Sequence, residues 1–150
     1  MKKKIHSSEK LRILKENRIQ RLEKELLDDE LKGPAEMVFS ESDEDRLVAV
    51  VSLQHLCDED SVPFLIHALS DTSDDVVFTA VTSLWEIASQ AAVIPLIDCL
   101  RDSKAERIRQ EALNALKELV NQDHLMKLLD YLDESDIKLQ ASILVLLRKI

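Results

Sequence analysis

Glycine is almost missing from this chain: Gly33 is the single one in 150 residues. Loops that cradle phosphates need several glycines, so that backbone N–H groups can approach the anion. The P-loop and Rossmann fingerprints are therefore excluded. Tight β-hairpin turns favour Asn-Gly or Asp-Gly, and their absence argues against a hairpin-built β protein. Long apolar runs are missing too. None exceeds five residues, as in Ile143–Leu147, whereas roughly 20 are needed to span a bilayer. Met1-Lys-Lys-Lys resembles the start of a signal peptide, but Ser7, Ser8, Glu9 and Lys10 stand where an apolar stretch would follow. A cytoplasmic location is expected. Cysteine is limited to Cys57 and Cys99. Neither has a second Cys or a His at ligand spacing, so both are expected to be small buried hydrophobes rather than disulfide or metal ligands.

Charge is abundant but unevenly placed. Residues 1–24 carry nine Lys/Arg against three Glu, a net of +6, whereas residues 35–100 carry thirteen Asp/Glu against Arg46 alone, a net of −12. The whole chain is −9, so a polyanion such as DNA is repelled by most of it. Within residues 9–32, Leu11, Leu14, Ile19, Leu22, Leu26 and Leu27 follow a rough helical period. This predicts one basic helix, capped by Ser7 or Ser8, ended by Gly33-Pro34 and lying against the domain behind it.

From residue 43 the sequence repeats. Val76-Val-Phe-Thr-Ala-Val-Thr-Ser-Leu-Trp-Glu-Ile87 sets below Asp45–Leu56 and above Ile108–Leu119. A small residue recurs as Ala49, Ala80, Ala112 and then Ala141, with spacings of 31, 32 and 29. Ser61-Val-Pro-Phe-Leu-Ile-His-Ala-Leu-Ser-Asp71 matches Ala92–Asp102 and, more loosely, Asp123–Asp133. Each unit reads as a longer helix A, a short turn and a shorter helix B. A single pair cannot bury both apolar faces, so such units stack into one continuous core. The expected fold is all-α: an α-solenoid of about three and a half helical hairpins with an extra N-terminal helix. Residues 1–34 form the basic helix and 35–150 the repeat domain, with repeats at about 43–71, 72–102, 103–134 and 135–150. The Asp clusters at the junctions, such as Asp71-Thr-Ser-Asp-Asp75, suit helix N-termini.

These repeats resemble the short HEAT-like repeat of phycobilisome bilin lyases and of many bacterial and archaeal repeat proteins. The resemblance covers about residues 43–150 and is best over 74–102. It departs near the end of helix A, where such repeats usually carry Gly. Here the stretches read Leu56-Cys57-Asp58, Ile87-Ala88-Ser89 and Leu119-Val120-Asn121. The resemblance implies a protein-binding scaffold. A lyase-like accessory subunit holding a chromophore is the first alternative. Nucleic-acid or membrane-surface contact through Lys2, Lys3, Lys4, Lys10, Arg12, Lys15, Arg18 and Arg21 is the second.

No HExxH, CxxC or GxSxG motif is present, and His6, His55, His67 and His124 fall on different elements. No enzyme activity, cofactor or metal site is expected. The B helices are expected to line a concave face that grips another protein, with Phe64, His67, Asp98, Arg101, Lys127 and Asp130 in adjoining rows. Trp85 is expected to fill core against Phe78 or the N-terminal helix. Residues 136–150 read as a helix A without its helix B, apolar nearly all round. Ile143, Leu146, Leu147 and Ile150 are therefore expected to form an assembly surface, most simply for a twofold homodimer.

Overall fold

A computed structural model describes residues 7–150, apart from the side chains of residues 7, 8, 11, 23, 24, 26 and 27. Eight α-helices run as α1 (Ser7–Met37), α2 (Asp43–Leu56), α3 (Val62–Ala68), α4 (Asp74–Ile87), α5 (Val93–Asp102), α6 (Glu106–Leu119), α7 (Leu125–Leu132) and α8 (Ile137–Leu147). A single 3-10 turn precedes each of α3, α5 and α7. The described residues contain no strand, and none of their helices is long and apolar enough to cross a membrane.

The A helices α2, α4 and α6 pack directly on one another. Ala49, Ala80 and Ala112 are fully buried where they meet, and their missing bulk lets the backbones approach. The B helices make few close backbone approaches to each other. Each packs instead on the A helix that follows it: α3 on α4, α5 on α6 and α7 on α8. The last turns of α1 take the same role against α2, with Ala35 and Val38 buried. Among the described residues the helices thus pack as four B–A pairs. The expected half repeat at the end and the extra helix at the front are the two ends of this phase.

The fourth unit corrects the register read from Ala141, which is exposed. Buried Leu139, Ile143 and Leu146, with half-buried Leu147 and Ile150, follow the spacing of Ile108, Ala112, Ala115, Leu116 and Leu119. Ile143 therefore stands in the place of Ala112, and the spacings become 31, 32 and 31. Ile143 and Leu146 are bulkier than the Ala pair of α6, and α8 accordingly approaches α6 much less closely than α6 approaches α4.

Helix α1 also departs from expectation. It continues through Gly33-Pro34 to Met37, where Val38 N–H donates to the Pro34 carbonyl at 3.2 Å. Proline removes one helix bond and crowds the residue before it, but that residue is Gly33, which has no Cβ to clash. Nor does α1 lie along the repeats. From residue 9 to 30 every described side chain is exposed, so the helix docks by its last turns and projects.

A recurrent side-chain tie fixes the approach to α2, α6 and α8. Arg46 donates to the carbonyls of Ser40 at 2.8 Å and Glu41 at 3.0 Å, and Arg109 donates to that of Ser103 at 2.8 Å. Gln140 donates to those of Leu132 at 2.9 Å and Glu134 at 2.6 Å. In α4 the equivalent residue is Val77, and the tie is missing there. Of the acidic junction residues, Asp58 and Asp136 accept backbone N–H groups at helix starts. Asp71 accepts from Ser73 N–H at 2.8 Å while pairing with Arg46 at 2.7 and 3.1 Å.

The A helices end in two ways. Cys57 (φ 47°) and Ala88 (φ 58°) close α2 and α4 in the left-handed conformation, each N–H reaching back to two carbonyls of the last turn. These are the positions at which glycine was missed. Val120 instead closes α6 with φ −69°, since a β-branched side chain is poorly tolerated at positive φ.

Candidate partner-binding surface

The wider spacing of the B helices leaves furrows between them. One is a cleft of about 650 Å³ between α3 and α5, lined by Ile66, Leu69 and Pro95 and by the charged residues Asp71, Asp74, Asp98, Asp102 and Lys104. Asp98 accepts from the Tyr131 hydroxyl at 2.8 Å and pairs with Arg101 at 3.3 Å. Arg101 also reaches Asp102 at 2.7 Å and Glu134 at 3.2 Å, and its guanidinium lies 6.0 Å from the Tyr131 ring centre. These contacts clip α5 to α7. Burial and the Asp98 carboxylate push the Tyr131 phenol up to about 12. The Arg101 hydrogen bond holds Asp102 below its ordinary value.

Four of the six expected contact residues thus fall in two groups. Asp98 and Arg101 are tied to each other and to α7. Half-buried Phe64 and exposed His67 lie at the other end of the face. Lys127 and Asp130 are exposed on α7. The structure adds a residue that helical periodicity could not find, Phe39. It lies in the segment between α1 and α2, is 60% exposed and packs its ring against His67 with centres 4.6 Å apart. With Leu31, Ala35 and Phe64 it lines an open apolar groove of about 430 Å³, walled by Asp28, Lys32 and Glu36. The available signal was an aromatic residue standing in a connecting segment, outside any helical stripe.

Other expectations need correction. Ile143 and Leu146 do not form an open assembly surface, because they are fully buried in the core of the last B–A pair. Leu147 and Ile150 are half-buried against the same core. The exposed apolar residues of that pair are others: Leu125, Met126, Leu129, Ile137, Leu144 and Val145. Cys57 is exposed, while Cys99 is buried as expected; burial, helped by Asp102, pushes its thiol up to about 11. Trp85 is half-buried against the core, and its indole N–H donates to Glu118 at 2.8 Å. Phe78 packs instead under the Arg107 guanidinium at 5.3 Å. Lys10, Arg12, Lys15, Arg18 and Arg21 are exposed on α1, while Lys2, Lys3 and Lys4 lie outside the described residues. Among the described residues no group of His, Cys, Asp and Glu is arranged to hold a metal ion.

The family described as HEAT repeats matches residues 35–117. Its start at residue 35 takes in only the final three residues of α1, whose end packs on α2 as a B helix would. No curated protein matches the chain.

Proposed function

From the premise that this chain belongs to the HEAT-repeat family, we propose that it is a non-enzymatic protein-interaction module that holds a basic amphipathic helix of another protein on its B-helix face. The observation that carries this reading is the groove of Leu31, Ala35, Phe39 and Phe64. An exposed aromatic beside a furrow is a ready anchor pocket for an apolar side chain. Beyond it, exposed Asp74 in the α3–α5 cleft favours Lys or Arg on the rest of the partner helix, whereas Asp71, Asp98 and Asp102 are already held by Arg46 and Arg101.

A photo-crosslinking residue placed at Phe39 or at His67 should capture the same partner protein, with yield falling as salt rises. The same residue at Val48, exposed on α2, should not. Phe39→Asp should abolish capture. Equal crosslinking from all three positions, or capture unchanged by Phe39→Asp, would sink the proposal.

A further inference from the structure

The furrows of the B-helix face are equivalent places in successive units. Val38, Ser40, Arg46, His67 and Asp71 line the one between the end of α1 and α3. One unit on, 31 residues later in each case, Leu69, Asp71, Val77, Asp98 and Asp102 line the α3–α5 cleft. The next furrow includes Leu100, Arg109 and Leu139. The outer two measure about 330 and 320 Å³ and the middle one about 650 Å³. Each outer furrow holds an arginine of the chain itself, and the middle one has Val77 in that place.

The groups that such an arginine ties together are still present in the middle furrow. Arg46 pairs with Asp43 at the start of its own helix, donates to the Ser40 and Glu41 carbonyls, and forks onto the Asp71 carboxylate of the next unit. Its side chain is only 12% exposed. Arg109 likewise pairs with Glu106 and donates to the Ser103 carbonyl. By position in the unit, the counterparts around Val77 are exposed Asp74, the carbonyls of Asp71 and Thr72, and Asp102. Val77 offers none of them a proton. Asp102 accepts from Arg101, yet its side chain stays 66% exposed, and each carboxylate oxygen can accept more than once.

We infer that the α3–α5 cleft takes an arginine side chain of the partner helix, seated where Arg46 and Arg109 sit in the neighbouring units. This rests on the helix-binding reading above and names the partner residue that the cleft selects. The acceptors are a carboxylate at the helix start, carbonyls of the connection before it and a carboxylate of the next unit. A guanidinium presents five N–H groups in a fixed plane and can serve such a spread set, whereas an ammonium has its donors on a single atom. Ile66, Leu69 and Pro95 suit the methylene stem of the same side chain. Helix α3 contributes Phe64 to the apolar groove and Ile66 and Leu69 to the cleft. A partner helix laid across α3 therefore meets both.

Nuclear magnetic resonance on the isotope-labelled full chain tests this, with N-acetyl-arginine amide as the probe. The backbone amides of Ser73, Asp74 and Val77 should shift saturably with the arginine amide, several-fold less readily with the lysine amide, and not with the uncharged citrulline amide. Val77→Arg supplies the guanidinium from within. It should abolish the shifts at Ser73 and Asp74 while keeping the helical circular dichroism. Asp74→Asn, at an exposed position, should weaken arginine-amide binding about two- to fivefold, and it decides the matter if Val77→Arg does not fold. No saturable shift, an equal response to the citrulline amide, or binding unchanged in a folded Val77→Arg chain or in Asp74→Asn would overturn the proposal. Capture from Phe39 is scored separately. Capture without arginine binding would sink the arginine site alone, and arginine binding without capture would sink the partner reading alone.

Discussion

Ala88 is the place where a single atom group should most clearly change stability in the direction opposite to habit. It ends α4 at φ 58°, ψ 33° and is exposed. A left-handed residue with a Cβ costs about 1–2 kcal/mol. Glycine removes that cost but returns about 0.5–1 kcal/mol through the greater freedom of the unfolded chain. Nothing buried is lost, because the methyl group faces water. Ala88→Gly should therefore stabilise the fold by about 0.5–1 kcal/mol, and Cys57→Gly, at φ 47° and also exposed, by a similar amount. The sites belong to successive units, and the double variant should gain about 1–2 kcal/mol. That corresponds to a rise of roughly 2–4 °C in Tm per kcal/mol for a chain of this size. Urea unfolding followed by far-ultraviolet circular dichroism measures it. Val120→Gly is the internal control: at φ −69° there is no strain to relieve, and a buried side chain is lost, so stability should fall. If Ala88→Gly and Cys57→Gly lowered the urea midpoint as Val120→Gly does, the strain argument would be wrong.

Other expectations follow from single sites. Ser61 has a fully buried hydroxyl with no hydrogen-bond partner, and the next unit carries buried Ala92 in its place; Ser61→Ala should raise stability by about 1 kcal/mol in the same urea assay. A thiol reagent should modify Cys57 at once and Cys99 only after unfolding, since Cys99 is buried and its thiol is held near 11; two equal fast rates would contradict the burial. Burial opposes ionisation of Asp71, but the Arg46 and Ser73 hydrogen bonds bring its carboxyl below the ordinary value. The stability this supplies is complete above the ordinary aspartate range, about 3.9, and is lost as pH falls through the lower folded value. Asp71→Asn should flatten that acid limb of a stability–pH profile, and an unchanged slope would place the acid sensitivity elsewhere.

The stacking of helices was legible because small residues mark close approaches. Ala49, Ala80 and Ala112 are spaced by the unit and all are buried. The same rule misled at α8, where the small residue Ala141 sits on the outer face and the buried place is taken by Ile143. A bulky residue at a packing position is invisible to a search for small ones, although the burial pattern shows it at once. Gly33-Pro34 read as a stop because each residue alone is a breaker. In sequence together, the glycine relieves what the proline would clash with. The B-face rows fall on exposed or half-exposed positions of α3, α5 and α7. Phe39 was out of reach, because its place depends on how a short connection lays one ring against His67 from a different helix.

The phase of the units has an implication for inheritance. Since each B helix belongs with the A helix after it, the seam between modules falls at the turns beginning with Asp58, Ser89 and Asn121, not at the acidic junctions that look like natural boundaries. A cassette cut from seam to seam carries a whole pair with its own core, the side chains facing both neighbours and the turn that joins it onward. Duplication or loss of such a cassette would lengthen or shorten the molecule by one increment and preserve its two different ends. A cassette cut at the acidic junctions would separate partners that pack together. Lineages that vary the length of this scaffold should therefore show their insertions in whole steps between these turns.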